Sequence, residues 1–357
     1  MKISAEKLTW FGRYLDNEGI RYFNYSSSGF CFVFKGKRAF TTIISDADDW
    51  EDVNKGVLGV YISEGDDCSW ESFPEEPDFK ITLNKKVNDC LLFESSVEKT
   101  VCIRVIKLSE AAFGFAGFKQ LEIDGEILPS KLPPAQKIEY IGDSITCGYG
   151  VEGVWGKDVF TTQQERADKS YAFLTAKNLK AQFQCCSWSG IGITSNYVDP
   201  ATINLPDTHW LMPAVWPYTD KSLSLRLGLE PEIWDESRFS PDLVVINLGT
   251  NDISWVRGLE ERRLAYVSGL RQLIEAVHRR SPKAKICCCI GIMGSELNES
   301  VREAVSLFNQ DFPKVPAKVV LFPVQDEKDG IGADWHPTAK THQKAAEILA
   351  KEINNWE

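Results

Sequence analysis

Residues 138–144 read Ile138-Glu139-Tyr140-Ile141-Gly142-Asp143-Ser144. The run from Ile138 to Ile141 is short, β-branched and aromatic, the pattern of a buried strand. Gly142 lets the chain turn sharply at the strand end with no Cβ to clash. Ser144 is then presented at the carboxyl edge of a sheet, where open α/β folds place their ligands. A serine there is a candidate nucleophile, provided that distant segments bring it a base and oxyanion donors.

Downstream of this point strands and helices alternate. Strands are expected at 137–141, 183–187, 243–248, 285–290 and 319–322. Helices are expected at 171–179, 259–280, 301–308 and 338–355. That alternation predicts a parallel, three-layer α/β domain. Upstream the pattern is different. Short apolar runs at 30–34, 39–44, 57–62, 79–83, 100–106 and 113–118 are separated by turn residues, and Asp124-Gly125 reads as a two-residue hairpin. Regular short strands without helices indicate an all-β sandwich or jelly roll. Leu132-Pro133-Pro134 marks a stiff boundary, so domains are expected at 1–131 and 136–357. Residues 194–240, rich in Pro and Trp and poor in regular pattern, read as a long loop of the kind that is functional or poorly ordered.

A net charge of -11 argues against nucleic acid and anionic membrane surfaces as partners. No segment approaches the ~20 apolar residues of a membrane span. Met1 to Lys7 lacks the apolar stretch of a signal peptide, which predicts a cytoplasmic location. Of the 10 cysteines, Cys287-Cys288-Cys289 lie in one apolar strand, where neighbours face opposite ways and cannot ligate one metal. Cys185-Cys186 has the same geometry, so buried free thiols are expected rather than a zinc site or a disulfide framework. No metal or cofactor is expected, and a homo-oligomer is left open.

Four histidines are available as the base for Ser144. His336, in Gly332-Ala333-Asp334-Trp335-His336-Pro337, precedes the C-terminal helix and so lies in a βα loop at the same sheet edge. His342 reads as solvated between Lys340 and Lys344, His278 as a helix-end cation, and His209 as a loop residue. Asn251 follows the strand at 243–248, and its amide can donate to a developing oxyanion. Gly190, beyond the strand at 183–187, offers a backbone N–H, as does Ser144 itself. Taken singly, Asn and Gly at strand ends are ordinary turn formers; their joint placement carries the reading. The chain has 11 tryptophans, and Trp335, Trp210 and Trp216 are expected to line the cleft, although most single tryptophans are core residues.

Gly142-Asp143-Ser144, Gly190, Gly249-Thr250-Asn251-Asp252 and Asp334-Trp335-His336-Pro337 resemble, in order, the four blocks of the SGNH or GDSL hydrolases. The longer strings 141–150 and 330–337 look like carbohydrate esterase family 2, the family of acetyl xylan esterases, which joins a jelly roll to an SGNH domain. The resemblance implies deacetylation of xylan or related acetylated sugars, with Ser144 as nucleophile and His336 as base. It implies an oxyanion hole of Ser144, Gly190 and Asn251. Most SGNH enzymes carry the acid three residues before the histidine, where this chain has Ala333. Asp334, two residues before, is expected to serve as the acid, since positions two apart in an extended segment share a face. In some members of family 2 a backbone carbonyl orients the histidine instead.

Two alternatives stand beside this reading. An SGNH lysophospholipase or thioesterase would prefer longer acyl chains, and a non-catalytic carbohydrate-binding protein would keep the aromatic cleft without turnover. The string 148–153 matches a dinucleotide fingerprint by spelling, but its glycines do not open a helix directly after a strand.

Overall fold

The computed structural model describes residues 1–130 and 135–356. The expected boundary at Leu132-Pro133-Pro134 lies outside the described residues. The first part of the chain is all β. Its strands are β1 (Lys2–Ile3), β2 (Thr9–Phe11), β3 (Leu15–Asn17), β4 (Ile20–Phe23), β5 (Gly29–Ile44), β6 (Val57–Glu64), β7 (Phe79–Thr82), β8 (Val87–Lys107), β9 (Ala116–Ile123) and β10 (Glu126–Leu128). Among the described residues they form one antiparallel sheet ordered β3-β4-β9-β5-β8-β6-β7, with β1 beside β9 and with β2 and β10 beside β5. This sheet fits a jelly-roll-like unit. The runs at 30–34 and 39–44 are halves of the single long strand β5, and 100–106 is the end of β8. The sheet therefore curls on long, bulged strands, with register shifts near residues 36–40 of β5.

Asp124-Gly125 does not make the expected hairpin. β9 and β10 do not pair with each other; both run along β5, with Ile123 opposite Ala39 and Glu126 opposite Lys35. The Asp124 carboxylate accepts the amides of Lys37 and Arg38 at 2.8 Å each, so the chain bridges a gap in the ladder without reversing. A side-chain acceptor substituting for a strand partner is the bulge solution to this sequence pattern.

The second part is the parallel α/β unit. Strands β11 (Lys137–Gly142), β12 (Gln182–Ser187), β13 (Leu243–Asn247), β14 (Lys285–Ile290) and β15 (Lys318–Leu321) are ordered β12-β11-β13-β14-β15. The helices are α1 (Ser144–Cys147), α2 (Tyr171–Asn178), α3 (Met212–Val215), α4 (Lys221–Arg226), α5 (Thr250–Val256), α6 (Glu260–Arg280), α7 (Asn298–Asp311) and α8 (Ala339–Asn354). Strand alternation sorts the layers. Val244, Ile246 and Cys288 pack with α6 and α7, whereas Leu243, Val245, Cys287 and Cys289 pack with α2 and α8. The three consecutive cysteines thus divide between two faces, as their spacing requires. One expectation about cysteine fails: Cys68 and Cys102, on the antiparallel side, form a disulfide. The segment 194–240 is ordered around α3 and α4 rather than being one irregular loop.

The two sheets share a core. Val57, Tyr61, Ile106 and Leu108 from the antiparallel side pack in the same apolar cluster as Ile138, Tyr140 and α2. Arg13, between β2 and β3, inserts its guanidinium beneath the parallel sheet and meets the Glu139 carboxylate at 2.7 Å. Both side chains are at most 1% exposed.

Candidate active site

The strand order puts three of the expected site residues on adjacent tips. β11 lies between β12 and β13, with Gly142 opposite both Ser187 and Asn247. Ser144, Gly190 and Asn251 leave those strands two to four residues later, at one edge. Gly142 is required there by space: a Cβ would sit 2.0 Å from Thr146 Oγ1. Beyond it Asp143 caps α1 by accepting the Ile145 amide at 3.0 Å. Ser144 is the first residue of that helix, a position whose N–H has no partner within the helix. Burial pushes the Asp143 carboxyl up to about 7.

His336 reaches the same edge from the loop after β15. Its Nε2 lies 2.8 Å from Ser144 Oγ, so the nucleophile and base of the sequence reading are within hydrogen-bond reach. Nδ1 lies 3.0 Å from the backbone carbonyl of Asp334, not from its carboxylate. This corrects the expectation that the Asp334 side chain acts as the acid. The physical reason is backbone conformation. Asp334 and Trp335 are both left-handed, at φ 48° and 65°, and the extended geometry that would bring side chains two apart to one face is absent. The left-handed turn aims the carbonyl at the imidazole and swings the carboxylate away, where it accepts a 2.8 Å hydrogen bond from Tyr149 Oη. Two consecutive non-glycine residues in this region cost roughly 1–2 kcal/mol each, and such strain collects at functional sites.

Tyr149 was not expected at the site, although it stands in the string 141–150. Its ring stacks on Phe160 at 3.7 Å and lies 4.3 Å from the His336 ring. The imidazole is half-buried, with Tyr149 packed against it. Burial pushes it down to about 4, opposed by its hydrogen bond to Asp334, and leaves it neutral at physiological pH.

Gly190 has φ +76°, and its Cβ direction is open space, so the position needs glycine for its conformation and not for room. Asn251 Nδ2 donates to the Ile191 carbonyl at 2.9 Å, leaving the carboxamide its second N–H. The neighbouring Asp252 is fully buried and accepts from the amides of Ile193, Thr194 and Ser195 and from Thr194 Oγ1. It clamps the loop that carries Gly190, a role legible only once that loop is seen folded over α5.

The aromatic expectations divide. Trp335 is 40% exposed and meets the half-exposed Trp155 edge-on at 5.5 Å, forming an aromatic rim beside His336. Trp210 is half-buried against Trp188, whose amide donates to the Gly142 carbonyl. Trp216 is not a cleft residue: it is 1% exposed in the core, with the Arg280 guanidinium over its ring. His342, expected to be solvated, is fully buried, and its Nδ1 accepts the Tyr171 amide at 3.1 Å. The flanking lysines lie on the outer face of α8, and the histidine on the inner one.

Residues 140–344 match the GDSL-like lipase/acylhydrolase family. Cellulase/esterase CelE of Acetivibrio thermocellus is 39% identical over 255 residues, which are 70% of this chain and 29% of CelE. The matched region is thus less than a third of that relative. An acetylxylan esterase / glucomannan deacetylase of Cellvibrio japonicus is 30% identical over 285 residues, 78% of this chain and 73% of the relative. The solved family two carbohydrate esterase from Clostridium thermocellum, in complex with cellohexaose, is similar with a TM-score of 0.82 and 31% identity over 98% of both chains. The chain belongs to the GDSL-like lipase/acylhydrolase family, resembles family 2 carbohydrate esterases along nearly its whole length, and is a carboxylic ester hydrolase.

Proposed function

We propose that this protein is a serine carbohydrate deacetylase that releases acetate from acetylated xylan or xylo-oligosaccharides. The observation that carries the reading is the 2.8 Å contact between Ser144 Oγ and a neutral His336 Nε2 at the edge where three backbone turns converge. Ser144 Oγ attacks the acetyl carbon as its proton passes to His336 Nε2. The oxyanion is held by the N–H groups of Ser144 and Gly190 and by the Asn251 carboxamide. His336 then protonates the departing sugar oxygen, leaving acetyl-serine. Water attacks this ester, giving its proton to His336, and acetate leaves as Ser144 Oγ recovers a proton. The names of the similar proteins support a sugar ester, and the Trp155–Trp335 rim supplies flat faces for a sugar ring.

Ser144→Ala tests the core of the reading. It is expected to lower kcat on an aryl acetate by at least ~10³ with folding intact. Retained turnover would remove Ser144 from the mechanism. A chain-length series on aryl esters tests the substrate class: a steep decline beyond acetate is expected, and a preference for long chains would favour a lipid or thioester substrate. Acetate release from acetylated xylan separates an enzyme from a sugar-binding protein.

A further inference from the structure

Beneath the catalytic edge lies a buried acidic pair that the mechanism above does not use. Glu110, in the turn after β8, and Glu165, before α2, are both fully buried. Glu110 comes from the antiparallel side, yet its Oε2 accepts the Ser189 amide, in the loop after β12, at 2.6 Å. The same oxygen lies 3.8 Å from Cys147 Sγ, at the end of α1. Glu165 Oε2 accepts the Glu110 amide at 2.9 Å. The Lys107 ammonium, also fully buried, donates to the Glu110 and Ser109 carbonyls and so fixes the turn.

Among the described residues, Glu110 Oε1 and Glu165 Oε1 have no hydrogen-bond partner at bonding geometry. Burial pushes both carboxyls up toward the neutral form. Burial lowers the Lys107 ammonium to about 8. The bonds that are made, from Lys107, from the Glu110 amide and from the Ser189 amide, make the 107–110 turn a firm support for what it touches.

What it touches is Ser189, the residue before the proposed oxyanion donor Gly190. On the other side of Gly190, the Ile191 carbonyl is held by Asn251 Nδ2. We infer that Glu110 is a positioning residue of the oxyanion site, fixing the Ser189 amide so that the next amide, that of Gly190, points at the reacting carbonyl. The inference rests on the oxyanion role given to Gly190 above. It gives the antiparallel half of the chain a part in the chemistry: its 107–110 turn completes a loop that the parallel sheet presents.

The test uses the full chain carrying Glu110→Leu or Glu110→Gln. Leucine removes the acceptor; glutamine keeps one oxygen for Ser189 and an amide for Glu165. Active sites are titrated with an aryl phosphonate, so that kcat is expressed per labelled serine. With the Glu110→Leu variant fully folded by near-UV circular dichroism, its kcat per site on an aryl acetate is expected to fall about 10–100-fold with KM within about threefold, part of the 10²–10³ that an oxyanion donor supplies. Glutamine is expected to recover most of that loss. A merely structural role would lower the number of labelled sites and leave kcat per site unchanged, and that result would overturn the inference. Where the leucine variant does not fold, Glu110→Asp, which retracts the acceptor by one methylene, is read the same way against glutamine: equal kcat per site in both overturns the inference. Activity persisting in Ser144→Ala would instead sink the catalytic reading itself, so the two failures are distinguishable.

Discussion

The carbonyl oxygen of Asp334 faces His336 Nδ1 at 3.0 Å, while the carboxylate of the same residue turns to Tyr149. The base is thus oriented by backbone, and a side-chain substitution at 334 leaves its acceptor in place. Asp334→Asn keeps a residue that tolerates the left-handed conformation and keeps an acceptor for Tyr149. Its kcat on an aryl acetate is expected to stay within tenfold of the parent. A loss near the ~10⁴ seen when a triad acid is neutralised would restore the carboxylate to the mechanism.

Burial keeps His336 neutral down to about pH 4. Only the neutral imidazole accepts the Ser144 proton, so activity is present above the shifted value and is lost as pH falls through it. The acid limb of kcat/KM for an aryl acetate is expected near pH 4, well below the ordinary histidine value of about 6.5. A limb at about 6.5 would mean that the ring is solvated in the free enzyme.

Trp155 and Trp335 meet edge-on at 5.5 Å, with Trp335 next to the base in sequence. Truncating Trp155 to alanine is expected to raise KM for an acetylated xylo-oligosaccharide about 5–30-fold, from one lost stacking face of ~1–2 kcal/mol. The small aryl acetate, which does not span the rim, is expected to show little change. Parallel losses on both substrates would place Trp155 in the catalytic framework instead.

Arg13 and Glu139 tie the two sheets together away from solvent. Arg13→Met strands the Glu139 carboxylate with Gln184 as its remaining side-chain donor. Removing one partner of a buried pair typically costs about 3–5 kcal/mol. The urea midpoint should drop accordingly, and Arg13→Met combined with Glu139→Leu should recover part of the loss. An unchanged midpoint for the single variant would show that the pair carries no net stability.

Much of the parallel unit was legible in advance because its strands are continuous apolar runs and its helices keep a helical period. The expected strand 285–290 and the helix at 259–280 match β14 and α6 to within a residue. That Ser144, Gly190, Asn251 and His336 come to one sheet edge was legible because each follows a readable strand or precedes a readable helix. The antiparallel sheet was less so: a bulged strand reads as two short ones, and Asp124-Gly125 has hairpin chemistry whether or not the chain reverses. Trp216 and His342 were misread because burial of a single aromatic or histidine leaves no mark on its neighbours in sequence.

Local sequence determined which segments become strands and helices, and therefore which residues reach the carboxyl edge, because hydrophobic period and turn chemistry act over a few positions. The tertiary structure alone decided that the Asp334 carbonyl serves His336, that Tyr149 takes the freed carboxylate, and that Glu110 reaches across from the other sheet to Ser189. Those choices depend on backbone dihedrals and on contacts between segments far apart in the chain, which no local pattern encodes.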